Sequence, residues 1–201
     1  GAPAHPLPSA MIYNPAENHW DSFADRKVNA DRTMTPLYLQ ADKGLGFETP
    51  GGEGEDSYVS DPAKPVPYIQ RPIVAGDEDR WRTWLVQDQR FVADRSDVVS
   101  YTTPVLTKTV TIHGAPVADI FAKTTGTDGD FVVKLIDVYP ATYPENPEMG
   151  GYQLPIAMDI FRGRYRDSLS DPSPIPAGKV QEYKFRLPTV NYEVKPGHRI
   201  M

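Results

Sequence analysis

Four histidines, two turn aspartates, two tryptophans three residues apart and one aspartate inside an apolar stretch are the side chains with chemistry to offer. His5, His19, His113 and His198 lie far apart, and none forms a ligand-spaced pair. His113, at the end of an apolar run, and His198, after Pro196-Gly197, read as structural. Asp128 and Asp130 flank a glycine, a spacing that calcium loops use, but the rest of the ligand pattern is missing. An Asx-type turn accounts for both carboxylates, and no metal is assigned. Cysteine is absent, which excludes disulfides and thiolate sites. There is no Gly-x-Ser-x-Gly elbow, His-Glu-x-x-His pair, phosphate-cradling loop or dinucleotide fingerprint. No residue is therefore assigned a catalytic role, and no cofactor is expected.

Two sets of residues remain. Trp81 and Trp84 would share a face on a helical turn. Asp77, Glu78, Asp79, Arg80 and Arg82 crowd them, too much charge for a core element. They read either as anchors packed under a loop or as an aromatic wall beside a ligand. The second set centres on Asp137, within Phe131–Tyr139. Alternation puts Phe131, Val133, Leu135, Asp137 and Tyr139 on one face and Val132, Lys134, Ile136 and Val138 on the other. Both faces are mostly apolar, which predicts a central strand covered on both sides. A carboxylate there needs a partner, and Arg162, Arg164 and Arg166 are the expected ones. They follow one another on one face of a strand expected over Met158–Arg166.

The elements that must position these residues are strands. From Asp97 onward, short alternating runs are separated by glycine- and proline-rich turns. They cover Val98–Tyr101, Leu106–Ile112, Val117–Lys123, Phe131–Tyr139, Met158–Arg166, Val180–Leu187 and Val190–Val194, with another strand starting at His198. In Val180–Leu187, Tyr183, Phe185 and Leu187 point inward. The first half is less regular. Ala10–Tyr13 and Leu37–Leu39 are short strands, Asn14–Asp21 is a loop anchored by Trp20, and Asp42–Asp56 is a glycine-rich, acidic and exposed excursion. Tyr58–Tyr68 carries Pro62, Pro65 and Pro67 and travels as extended coil. The opening Gly1–Pro8 is a proline-locked linker. A strand that has only begun at Met201 reads as a piece cut from a longer polypeptide.

With 201 residues the chain can form one large β domain with a core of its own, or two small domains. Its net charge of −6, with no basic cluster, argues against nucleic acid, and no apolar run is long enough to cross a bilayer. Twenty-one prolines and fifteen glycines between apolar runs favour an all-β sandwich over a helical fold.

A run of short motifs adds to this. Tyr58, Asp61-Pro62 and Pro65-Val-Pro67 are followed by Asp88-Gln89, Arg95-x-Asp97-Val98, Gly114-x-Pro116 and Thr127-Asp-Gly-Asp-Phe131. Then come Lys134-Leu-x-Asp137-Val138, Arg162-x-Arg164-Tyr-Arg166, Pro176-x-Gly178 and Pro196-Gly-His-Arg-Ile200. In this order and spacing the chain, from Met11 on, resembles the C-terminal jelly-roll domain of the cocaine esterase and X-prolyl dipeptidyl peptidase family. Asn14, Asn18-x-Trp20 and the long loops are most similar to the α-amino acid ester hydrolases, relatives of the glutaryl acylases. Gly129 departs from the family, which usually has threonine between the two turn aspartates.

The resemblance implies an all-β jelly-roll (galactose-binding-like) sandwich spanning 1–201, truncated at its C-terminus. It implies an accessory domain of a serine hydrolase whose triad lies on an upstream α/β-hydrolase domain, the chain itself being inactive. The implied chemistry is acyl-serine cleavage of α-amino acid esters and amides, β-lactam antibiotics included. Trp81 and Trp84 would then wall the cleft. By resemblance the whole protein is a homo-oligomer, periplasmic or secreted. The rival reading is a non-catalytic carbohydrate- or ligand-binding sandwich, which would carry exposed aromatics on a concave sheet face.

Overall fold

Period-two alternation becomes strand and proline-glycine punctuation becomes turn throughout the second half of the chain. The computed structural model describes residues 7–25 and 33–201. Most of the expected opening linker, residues 1–6, lies outside the described residues.

Four short strands come first: β1 (Ala10–Asn14), β2 (His19–Phe23), β3 (Tyr38–Leu39) and β4 (Leu45–Gly46). Two short helices follow, α1 (Glu78–Thr83) and α2 (Arg90–Ala93). The strands after them are β5 (Val110–Gly114), β6 (Val117–Ala122), β7 (Asp130–Val138), β8 (Gln153–Arg162), β9 (Gln181–Arg186) and β10 (Val190–Val194), and β11 (Arg199–Ile200) comes last. The ladders, all antiparallel, are β1–β2, β3–β4, β5–β10, β6–β9 and the three-stranded β11–β7–β8. β7 is thus the middle strand of its sheet, as its apolar run requires. Proline lacks a ladder donor and sits best on an edge strand. Pro155 does so on β8, beside a register shift at Leu135/Ile136.

The β5–β10 pair faces the β11–β7–β8 sheet. Between them Tyr192, Val194, Ile200 and Leu45 are buried, with Val110, Ile112, Leu135, Leu154 and Ile156 packed around them. At the other end of β7 an aromatic group closes the sandwich. Phe131 packs on Tyr183 at 4.1 Å between ring centroids, and Phe161 stacks on Phe185 at 5.1 Å. Tyr183 is 0% exposed, and Leu187 is buried as the alternation predicts.

Four local expectations need correction. Asp42–Asp56 is not wholly exposed: it contains β4, whose Leu45 is buried in the core. Asn14–Asp21 is not a loop anchored by Trp20: His19–Phe23 forms β2, and Trp20 is 59% exposed. The hairpin closes because Asn18 adopts φ 54°, a left-handed conformation that asparagine tolerates better than most residues. Val98–Tyr101 makes no ladder, contributing only an isolated bridge from the adjacent Thr102 to Gly44. β8 stops at Arg162, and 163–165 form a single 3-10 turn instead of continuing to Arg166.

Gly163 explains that stop. Its N–H donates to the Gly129 carbonyl at 2.9 Å, so the two backbones lie against each other. A Cβ at Gly163 would meet that carbonyl oxygen at 2.5 Å and Ile175 Cδ1 at 2.7 Å. Gly163→Ala is therefore expected to cost about 1–3 kcal/mol, the usual range for overpacking. Gly129→Ala opens into free space and serves as the control. Equal melting temperatures for the two variants would refute the close-approach explanation.

Candidate functional site

Asp137 is 1% exposed, and its partners come from β10 and the last turn. Tyr192 donates its hydroxyl to Oδ2 at 2.8 Å, and His198 Nδ1 lies 2.8 Å from Oδ1, where its N–H donates to the carboxylate. Tyr139 lies against the His198 ring at 4.4 Å, and Tyr143 meets the same ring edge-on at 5.7 Å. Burial pushes the Asp137 carboxyl above its ordinary range, against the hydrogen bonds from His198 and Tyr192, which pull it down. Burial and the neighbouring carboxylate push the Tyr192 phenol up strongly, so the phenol stays a donor. An aspartate–histidine pair invites comparison with a triad. Here the ring is 2% exposed, and no serine or threonine hydroxyl bonds to it among the described residues. The cluster fastens β7, β10 and β11 together.

The expected arginine partnership is thereby corrected. Antiparallel register sets Arg162 opposite Asp130 and Leu154 opposite Asp137. Seven residues of strand separate the two positions, about 23 Å at the usual rise. Arg162 reaches Asp130 at 3.5 Å, and Arg164 reaches Asp128 at 3.0 Å, so both turn aspartates are ion-paired. The Gly129 N–H also bonds to Asp128 Oδ1, as the Asx-turn reading expects. Arg166 turns inward on the carbonyls of Gly163, Ser173 and Pro174 and also meets Asp167 at 3.2 Å. Each arginine closes the Gly126–Asp130 turn or the 163–174 loop. His198 and Tyr192 were readable only in part: a buried aspartate demands donors, but nothing local says that these two supply them.

Trp81 and Trp84 do share a helical face. Asp77 caps α1 by accepting from the Arg80 N–H at 3.1 Å, and Glu78 and Asp79 occupy its first turn, where negative charge suits the helix. The two indoles stack at 5.0 Å and 10°. Tyr68 packs on Trp84 at 5.2 Å, and Trp81 remains 68% exposed. With Ile73, Val74 and the carboxylate-bearing Asp77 and Glu78, they line a cleft of about 460 Å³. Next to this ledge, Lys134 Nζ donates to Gln89 Oε1 at 2.6 Å and lies 5.9 Å from the Tyr68 ring centre. Burial lowers the pKa of this ammonium.

A second polar chain ties the hairpin to the sandwich. His19 meets Asp21 at 2.7 Å, Asn191 donates to Asp21 at 2.7 Å, and His113 meets Asn191 at 2.8 Å. Both histidines are thus held structurally, although only His113 was read that way from sequence. No group of three or more histidine, aspartate or glutamate side chains is placed to hold a metal among the described residues.

What these elements define is a jelly-roll sandwich with a buried polar cluster that is structural and an aromatic ledge beside a surface cleft. The chain belongs to the family described as the X-Pro dipeptidyl-peptidase C-terminal non-catalytic domain, which it matches over residues 9–201. It is 31% identical over 204 residues to the cocaine esterase of Rhodococcus sp. (strain MB1 Bresler), covering 97% of this chain and 33% of that protein. Among solved structures it superposes on an α-amino acid ester hydrolase with a TM-score of 0.93 at 48% identity, covering 100% of this chain and 34% of the other. It matches an aminopeptidase from a marine sediment Thaumarchaeota archaeon with a TM-score of 0.93 at 45% identity, covering 99% and 33%. The chain thus spans about a third of the length of these relatives.

Proposed function

We propose that this domain serves a longer serine hydrolase that cleaves α-amino acid esters and amides, β-lactam antibiotics with an α-amino acyl group among them. The observation that carries the reading is the end-to-end likeness to an α-amino acid ester hydrolase at 48% identity. The acyl-serine chemistry belongs to an upstream α/β-hydrolase domain. This domain contributes buried area against that partner and an aromatic wall to its cleft. The exposed Trp81 indole, stacked on Trp84 beside Asp77 and Glu78, suits an aromatic acyl group that also carries an ammonium. Offset stacking on such rings is worth about 0.5–1.5 kcal/mol beyond area burial.

The full polypeptide should hydrolyse phenylglycine methyl ester and lose activity on the analogue lacking the α-amino group. Trp81→Ala is expected to raise KM for the phenylglycine ester about 2- to 12-fold, the kinetic equivalent of that stacking. Its melting temperature should change little, because the ring is 68% exposed. A large loss of stability at normal KM would return Trp81 to the role of a packing anchor. Equal turnover of both esters would remove the α-amino acid reading. A second exposed aromatic pair, Tyr13 and Trp20 at 5.3 Å on β1–β2, supports the rival glycan-binding reading. Binding to a glycan array that Trp20→Ala abolishes would favour it.

A further inference from the structure

The outer face of the β11–β7–β8 sheet is covered at one end and bare at the other. Ile136 is 6% exposed there. Val132 and Ile160, directly opposite each other in the β7–β8 register, are 53% and 56% exposed. β8 pairs along the whole of β7 while β11 reaches only Asp137 and Val138, and a strand apolar on both faces is ordinarily covered on both. Between the covered and bare ends stands Lys134. Its ammonium is half-buried, its acceptor is the neutral amide of Gln89, and no carboxylate pairs with it among the described residues. A desolvated cation bonded only to an amide is short of a counter-charge. Beyond Lys134 the apolar surface runs on through Tyr68 to Trp84 and Trp81, each ring within 5.2 Å of the next.

We infer that this strip, from Val132 and Ile160 past Lys134 to Tyr68 and Trp84, is the face on which the upstream domain of the same polypeptide docks, with a carboxylate of that domain meeting Lys134 Nζ. The inference rests on the proposed function and names the surface that reading leaves open. Two observations select the occupant. The relatives carry about two thirds of their length outside the matched region, which supplies a covering body in the same chain. The lysine asks for an acid. A second copy packed about a two-fold axis passing by Lys134 would set this ammonium against its mate and offer it no acid there. Docked this way, the strip leaves the Trp81 edge at the rim, where it can face a substrate.

Site-directed labelling of the full polypeptide tests the inference, and the absence of cysteine from this chain makes each introduced thiol the only one in it. Val132→Cys and Ile160→Cys are treated with a maleimide and compared with Leu169→Cys, a position 86% exposed. The tagged peptides are quantified by mass spectrometry. The docked arrangement predicts labelling at 132 and 160 at least roughly 100-fold slower than at 169, as for a surface that opens about 1% of the time. Adding Lys134→Glu to the Ile160→Cys variant should speed its labelling about tenfold, and Lys134→Gln should do less. Equal rates at the three thiols would overturn the docking face, and protection lost on dilution to the monomer would assign it to a second copy instead. Unchanged labelling with Lys134→Glu would overturn the partner carboxylate. Ester hydrolysis is measured separately on the same samples. Fast labelling in an active enzyme refutes the face alone, and protected thiols in a protein that spares α-amino acid esters refute the function alone.

Discussion

Asp137→Ala is expected to lower the stability of the chain by about 3–5 kcal/mol, the scale for removing one member of a buried hydrogen-bonded group and leaving two donors without an acceptor. The substitution leaves the Tyr192 hydroxyl and the His198 ring N–H without their acceptor, in a site where Asp137 is 1% and His198 2% exposed. For a chain of this length that corresponds to a fall in Tm of roughly 6–20 °C. Asp137→Asn should cost much less, since an amide of the same shape still accepts from His198 and turns its NH2 toward the tyrosine oxygen. The pair of variants also separates charge from shape. Burial holds the Asp137 carboxyl above its ordinary range in the folded chain. The folded state therefore binds that proton more tightly than the unfolded state does. The linked stability is full below the unfolded value of about 3.9 and is lost as pH rises through the raised folded value. Denaturant unfolding across this window should show the parent losing stability relative to Asp137→Asn as pH rises. A Tm for Asp137→Ala equal to that of the parent would remove the cluster from the core. Parallel pH profiles for parent and Asp137→Asn would show that burial does not raise this carboxyl.

Tyr183→Ala should be comparably damaging, at about 3–5 kcal/mol for an aromatic side chain removed from a packed core. Tyr183 is 0% exposed, lies 4.1 Å from Phe131 and 6.5 Å from Phe161 between ring centres, and borders the space that a Cβ at Gly163 would enter. Its loss opens the end of the sandwich where β7, β8 and β9 meet. The hydroxyl adds little, because it bonds to no protein group among the described residues. Tyr183→Phe is accordingly expected to cost less than about 1 kcal/mol. Equilibrium unfolding of both variants checks this, and a Phe variant as unstable as the Ala variant would mean that the hydroxyl, not the ring, holds the corner.

The alternation of Val180–Leu187 placed Tyr183 and Leu187 inward, where they are. The double-sided apolar run of Phe131–Tyr139 marked the middle strand of a sheet, and β7 is that strand. The three-residue spacing of Trp81 and Trp84 predicted a shared helical face, and the rings stack where α1 runs on into a 3-10 turn. These features were legible because each rests on a local period: two residues per strand repeat, or three to four per helical turn. The coverage of β7 was legible only as a requirement. Both faces ask for cover, yet Val132 is 53% exposed on the outer one.

The sequence by itself determined the sandwich, the turn at Asp128–Asp130 and the lack of any catalytic motif. Tertiary structure alone decided which distant residues meet. A buried aspartate announces that it needs partners, but register and sheet packing choose them. Register carried Arg162 to Asp130 at the far end of β7, the pairing of β11 with β7 brought His198 to Asp137, and the facing β5–β10 pair brought Tyr192. Likewise Gly163 was one glycine among fifteen until the Gly129 carbonyl lay against it. Side-chain periodicity is set within a few residues of chain, whereas pairing is set by which strands lie side by side. That information is spread over the whole fold.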